Sequence, residues 1–183
     1  MGKRRKGREI VLQSLYASLI SGAKLEDALA DQLARRESND ETAFFARDLA
    51  GKITAHRPDL DAWLRALASR GWNPDRVGML EKVILIIGLA ELRHSPDVPW
   101  RVVINEALEL TRRYCEDEAI GFVNGVLDRA AAETYPDHHG KRAAGAAKDT
   151  TGHDTPTGTP TGTPTETPTE PPTTPPTDPE QNT

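Results

Sequence analysis

Between Met79 and His94 the chain reads MLEKVILIIGLAELRH, and Val83, Ile84, Leu85, Ile86, Ile87, Leu89 and Leu92 fall on every side of any helix they form. A helix with no polar face has to lie inside a layer of other elements. The run is rich in β-branched residues, so a strand pair is the rival reading. Its length and the lack of an internal turn favour one helix over 79–94. Ser95-Pro96 stops it. A fold organised on such a segment needs amphipathic partners on several sides.

The flanking sequence supplies them. Leu12, Leu15, Tyr16 and Leu19 share one face of a first helix that ends at Ser21-Gly22. Lys24 to Arg36 is a second, with Leu25, Ala28, Leu29 and Leu33 inward. Ser38-Asn39-Asp40 caps a third, which runs through Phe44, Phe45, Leu49 and Ile53. Pro58 begins a fourth with Leu60, Trp63, Leu64 and Leu67, closed by Arg70-Gly71, and Asn73-Pro74 is the next start signal. Trp63, Phe44 and Phe45 are most simply core. After the central segment, Pro99 suits the first turn of a helix whose apolar face is Val103, Ala107, Leu110 and Tyr114. Cys115 to Glu118 breaks it, and Asp117 caps a last helix with Ile120, Val123, Leu127 and Ala130 as its stripe. The sum is an all-α fold of about seven helices with no convincing strand.

Phe122 stands off that last stripe. At roughly 100° per residue it lies about 200° from Ile120, on the side shared by Gly125 and Arg129. It is either a recognition aromatic or covered by a second layer of helices. Asn105 falls near the border of its helix's apolar face, where a hydrogen bond to a neighbouring helix is the expected role. Glu106, Glu109, Arg112 and Arg113 read as a solvated, ion-paired face.

Composition divides the chain at about Asp137. Residues 137–183 form a Thr/Pro-rich tail in a loose TGTP/TETP pattern with no apolar residue larger than alanine. Such a segment cannot bury a core, and disorder is expected. Residues 1–136 remain as one domain. The net charge of −5 sits mostly in the tail, leaving the body almost neutral. A local exception is the KRRKGR stretch at Lys3 to Arg8, a solvated terminus or an arm for phosphates.

Enzymatic signatures are missing. The chain has no Gly-rich phosphate loop, HExxH, GxSxG or CxxC, and its one cysteine, Cys115, excludes an internal disulfide framework. His56 and His94 fall at helix ends, and His138-His139 sits in the tail. No cofactor or metal and no catalysis are expected. No signal peptide is visible and the longest apolar run is too short to cross a bilayer, so a cytoplasmic protein is expected.

Four blocks resemble the NusB family of bacterial transcription antitermination factors: REIVLQSLY (8–16), EKVILIIGLAEL (81–92), VPWRVVINEALEL (98–110) and FVNGVLD (122–128). The resemblance spans about residues 3–133. It implies seven helices in two packed antiparallel bundles, with no reaction catalysed. It implies binding of boxA-type RNA and a heterodimer with NusE, a small-subunit ribosomal protein, within an antitermination complex on RNA polymerase that supports ribosomal RNA transcription. By position in these motifs, it implies RNA contacts for Arg4, Arg5, Lys6, Arg8, Tyr16, Tyr114, Phe122 and Arg129, and a NusE contact for Glu81. Ile86 and Ala90 stand where relatives often carry an arginine and an aromatic, and the extra apolar surface could join two copies in a homodimer. The alternatives are a NusB-like helical module that assists ribosomal RNA modification or a protein-interaction bundle only.

Overall fold

The computed structural model describes residues 2–36, 38–68 and 77–136. Among them are seven helices and no strand: α1 (Lys3–Ser21), α2 (Leu25–Arg35), α3 (Asp40–Ala55), α4 (Arg57–Ala68), α5 (Met79–His94), α6 (Trp100–Tyr114) and α7 (Asp117–Thr134). The Arg70-Gly71 and Asn73-Pro74 signals and the tail from Asp137 lie outside the described residues.

Helices α1, α2 and α3 pack on one another, as do α5, α6 and α7. Helix α5 joins the two groups through contacts with α1 and α3, while α4 lies against α5 and α7. The central segment is therefore the shared wall, and every residue from Val83 to Leu92 is buried. Fully burying an aliphatic side chain contributes about 1.5–3 kcal/mol, so Ile84, Leu85, Ile87 and Leu89 are a large part of what holds the bundles together.

Local chemistry explains the helix ends. Gly22 closes α1 at φ 73°, a left-handed conformation that glycine takes without a Cβ clash. The Asn39 side chain accepts from the Thr42 backbone N–H at 2.8 Å and starts α3. Pro99 precedes α6 as its N-cap. Glu116, one residue before the expected Asp117, occupies that position for α7.

Gly88 marks a close approach of α5 to α7. A Cβ there would stand 2.8 Å from Leu127 Cδ2, and Leu127 is fully buried. Gly88→Val should therefore cost about 2–3 kcal/mol by overpacking, measured as a lower denaturation midpoint with an unchanged slope.

Several expectations are corrected. Phe122 is buried in the core. The inward face of α7 is Ala119, Phe122, Val123, Val126, Leu127, Ala130 and Ala131, and Ile120 is the residue turned partly out. Anchoring the stripe on Ile120 rotated the face away from Phe122. On α3 the two phenylalanines split: Phe45 packs against the core, but Phe44 is 74% exposed. On α1 the covered face stops at Leu15, leaving Tyr16 and Leu19 exposed. Asn105 is exposed and makes no side-chain hydrogen bond to a neighbouring helix among the described residues. Ile86 and Ala90 are both buried within the single chain, so they offer no apolar surface for a homodimer.

Candidate nucleic-acid interface

The basic stretch is helical from Lys3 onward and forms the first turns of α1. Helical spacing distributes its cations around the axis, and their partners differ accordingly. Arg8 turns inward. Its Nε and Nη2 donate to the two carboxylate oxygens of Glu91 at 2.7 Å each, with both side chains almost fully buried. Glu106 stands 3.5 Å from the same guanidinium. This corrects the expectation that Arg8 faces a phosphate: it is the cation that neutralises a carboxylate inside the core.

Arg5, half-buried, makes the same two-pronged contact with Glu106, at 3.0 Å from Nε and 2.8 Å from Nη2, and reaches Glu109 at 3.4 Å. The donated hydrogen bond from Arg5, together with the Arg8 charge, holds the Glu106 carboxyl below its ordinary range against the opposing effect of burial. Glu106 thus faces α1, so the expected solvated face of α6 is partly an inter-helix seam.

Lys3 and Arg4 are exposed. Lys3 pairs with Glu41 at 2.5 Å and Arg4 with Asp97 at 3.7 Å, in both cases with more than half of each side chain in water. Exposed pairs of this kind contribute at most ~1 kcal/mol, so these cations exchange partners at little cost. Lys6 is half-buried. Phe45 lies beneath the stretch, with Arg4 and Arg8 carbons 5.8 and 5.2 Å from its ring centre. Gly7 lets that ring sit directly on the helix backbone, since a Cβ there would be 2.6 Å from Phe45 Cδ1.

The remaining residues implied by the resemblance are spread over the molecule. Tyr114, half-buried at the end of α6, donates its hydroxyl hydrogen to Glu9 and accepts from Gln13 Nε2 at 3.1 Å. Burial and the Glu9 contact push its hydroxyl above the usual range. Tyr16 is exposed on the same helix as Arg4, but twelve residues away, about 18 Å along the axis. Leu19 and Ile20 follow it into solvent. Leu19 shares a cavity of about 370 Å³ with Met79, Lys82, Leu64 and Ile86, so this end of α1 meets the start of α5, where half-exposed Glu81 lies. Phe122 lines an adjoining cavity of about 320 Å³ with Val77, Lys82 and Leu64. Arg129 is half-buried on α7. The geometry therefore gathers Arg4, Arg5 and Lys6 at one end of α1, and brings Tyr16 towards the Glu81 end.

Sequence reading missed two partners here. Glu91 is a lone carboxylate within an otherwise apolar stretch, and such a residue requires a cation; Arg8 beside Ile10 and Val11 was the matching signal. The spacing of Glu106 with Glu109, Arg112 and Arg113 reads as a solvated face and gives no sign of Arg5. No described helix is long and apolar enough to cross a membrane. Burial, with help from Glu81 and Glu116, pushes the Cys115 thiol up to about 11, so it is protonated at neutral pH.

Comparison with known proteins gives this geometry a family. The chain is similar to transcription antitermination protein NusB of Myxococcus xanthus, 38% identical over 135 residues that cover 72% of this chain and 96% of that protein. Among solved structures it resembles T. maritima NusB with a TM-score of 0.66 and 27% identity, over 75% of this chain and 96% of that one. A chain from the crystal structure of antitermination factors NusB and NusE in complex with dsRNA shares the fold, with a TM-score of 0.65 at 24% identity over 73% of this chain and 98% of that one. The model of the NusB family matches residues 5–132, which run from Arg5 at the basic end of α1 almost to the end of α7, and the chain belongs to that family.

Proposed function

We propose that this chain is a transcription antitermination factor that binds boxA-type RNA together with the NusE ribosomal protein, within an antitermination complex on RNA polymerase in the cytoplasm. It works by binding and catalyses no reaction. The observation that carries this reading is the family match over residues 5–132, nearly the whole described domain, whose relatives are named as antitermination proteins.

The division of labour follows from the two ends of α1. At the basic end, Arg4, Arg5 and Lys6 contact phosphates. Each phosphate neutralised releases condensed counterions, which contributes affinity but carries no base sequence. Tyr16, Tyr114 and Arg129 are further RNA contacts. Sequence preference comes from bases laid on aromatic rings and read at their edges. Glu81, at the start of α5 and beside the exposed end of α1, belongs to the surface that holds NusE.

Fluorescence anisotropy of labelled boxA RNA, titrated with salt in the presence and absence of NusE, tests this. Binding should tighten when NusE is added and fall with rising salt. Arg4→Ala should weaken binding to all RNA sequences alike and lower the log–log salt slope by about 1. Affinity that is absent even with NusE, or indifferent to Arg4, Arg5 and Lys6, would refute the RNA reading.

A further inference from the structure

We propose that His56 and His94 form an acid-sensitive joint. It fastens the corner between α3 and α4 to the end of α5 while the two rings are neutral, and it lets go when they gain protons. The inference goes beyond the RNA-binding reading and does not depend on it.

The two rings are stacked, with 3.8 Å between their centres and 7° between their planes. Both residues are half-buried, and each stands where a helix ends. The His56 backbone N–H closes α3 on the Lys52 carbonyl at 3.2 Å, and the His56 carbonyl accepts from the Leu60 N–H of α4 at 3.0 Å. His94 is the last residue of α5. A second link runs beside the stack. Lys52 Nζ donates to Ser95 Oγ at 3.1 Å, and the buried Ser95 closes α5 on the Glu91 carbonyl. The turn that follows carries Asp97, which pairs with Arg4, so the joint and the basic end of α1 share one turn.

Neutral aromatic rings stack favourably, but two imidazolium cations in the same places repel each other. The charged neighbours come from four helices. Lys52 of α3 is paired with Asp48 at 2.7 Å. On α4, Asp59 faces His94, while Arg57 is taken by Asp61 at 2.9 Å. On α5, Arg93 lies with its guanidinium carbon 4.1 Å from the Trp63 ring centre. From α7, Glu133 accepts from the Trp63 indole at 2.8 Å and the Tyr135 hydroxyl donates to the Leu92 carbonyl at 2.8 Å. The carbonyl ends of α3 and α5 favour a cation at the joint, and so does Asp59. At His94 they are outweighed: burial first, then His56, Arg93 and Lys52, hold the ring below the ordinary histidine range. The direction follows. An unfolded His94 takes up a proton near pH ~6.5, whereas the packed ring resists it. Stability is whole above that pH and is lost as pH falls towards the lower value of the packed ring.

Amide hydrogen exchange of the full chain tests this at about pH 7.5 and about pH 5.5, corrected for the intrinsic rate at each pH. The backbone amides of His56, Ser95 and Val98 are hydrogen-bonded within the joint. Their protection should fall by up to about tenfold at the lower pH, one pH unit below an ordinary histidine. His56→Phe combined with His94→Phe keeps a stack that cannot titrate, and should lose most of this acid response. His56→Gln combined with His94→Gln has no stack, and should be poorly protected at both values. NMR titration of the ring nitrogens supplies a second readout that needs no double variant. His94 should titrate below a histidine in a short peptide, and should move up towards it in His56→Gln. Equal protection of the parent at the two pH values would overturn the inference. So would an acid loss as large in the phenylalanine pair as in the parent, or a His94 ring that titrates like the peptide.

Discussion

Arg8→Ala should lower the stability of the domain by about 3–5 kcal/mol, the usual cost of removing one member of a buried ion pair. For a domain of this size the melting temperature should fall on the order of 10–20 °C. The reason is what remains: Glu91 keeps its carboxylate inside the core, with both oxygens stripped of the hydrogen bonds at 2.7 Å that Arg8 supplied. Glu106, 3.5 Å from that guanidinium, would lose the nearby Arg8 charge and keep Arg5. Thermal unfolding followed by circular dichroism checks this. A double variant, Arg8→Met with Glu91→Met, should recover most of the loss, because replacing a buried pair by apolar groups of similar volume is often neutral. Arg4→Ala, at an exposed pair, should stay within about 0.5 kcal/mol of the parent. The contrast between two arginines one helical turn apart separates structural from exchangeable charge in the basic stretch.

Phe122→Ala should cost about 3–4 kcal/mol, as expected for a large-to-small change in a packed core. Its ring belongs to the buried face of α7 and borders a cavity with Val77, Lys82 and Leu64, so truncation enlarges an existing gap that the surrounding helices cannot close. Denaturant unfolding should show a lower midpoint. RNA affinity, measured well below the transition where the variant is folded, should change far less. A recognition aromatic would give the opposite result, with affinity lost and the midpoint unmoved.

What could be read from the sequence depended on how local the determining contact is. The limits of α5 were legible because a segment buried on every side shows no periodicity to misread, and Ser95-Pro96 ends it chemically. The inward Val103, Ala107 and Leu110 of α6 were legible from spacing. The register of α7 was not: at 3.6 residues per turn, choosing Ile120 or Ala119 as the first inward residue moves the apolar face by about 100°, and Phe122 changes sides. The split of Phe44 from Phe45 depends on where α1 lies against α3, and no local pattern encodes that. The pairing of Arg8 with Glu91 spans 83 residues of sequence. The basic stretch was legible as a charge feature, but which of its cations remain exchangeable depends on carboxylates delivered by α3, α5 and α6.

The two ends of α1 give one helix two jobs. Its first turns hold cations against weakly held acids beside a cleft. Its last turn exposes Leu19 and Ile20 next to the start of α5. RNA and a protein partner can then occupy different ends of one rigid element, so binding of one need not exclude the other. Native mass spectrometry of the chain mixed with NusE and a single-stranded boxA RNA measures that directly. The account predicts one particle containing one copy of each, which dissociates as ammonium acetate concentration rises and keeps its NusE longer than its RNA. A spectrum showing only the 20.0 kDa chain, or a self-dimer unchanged by either addition, would contradict it.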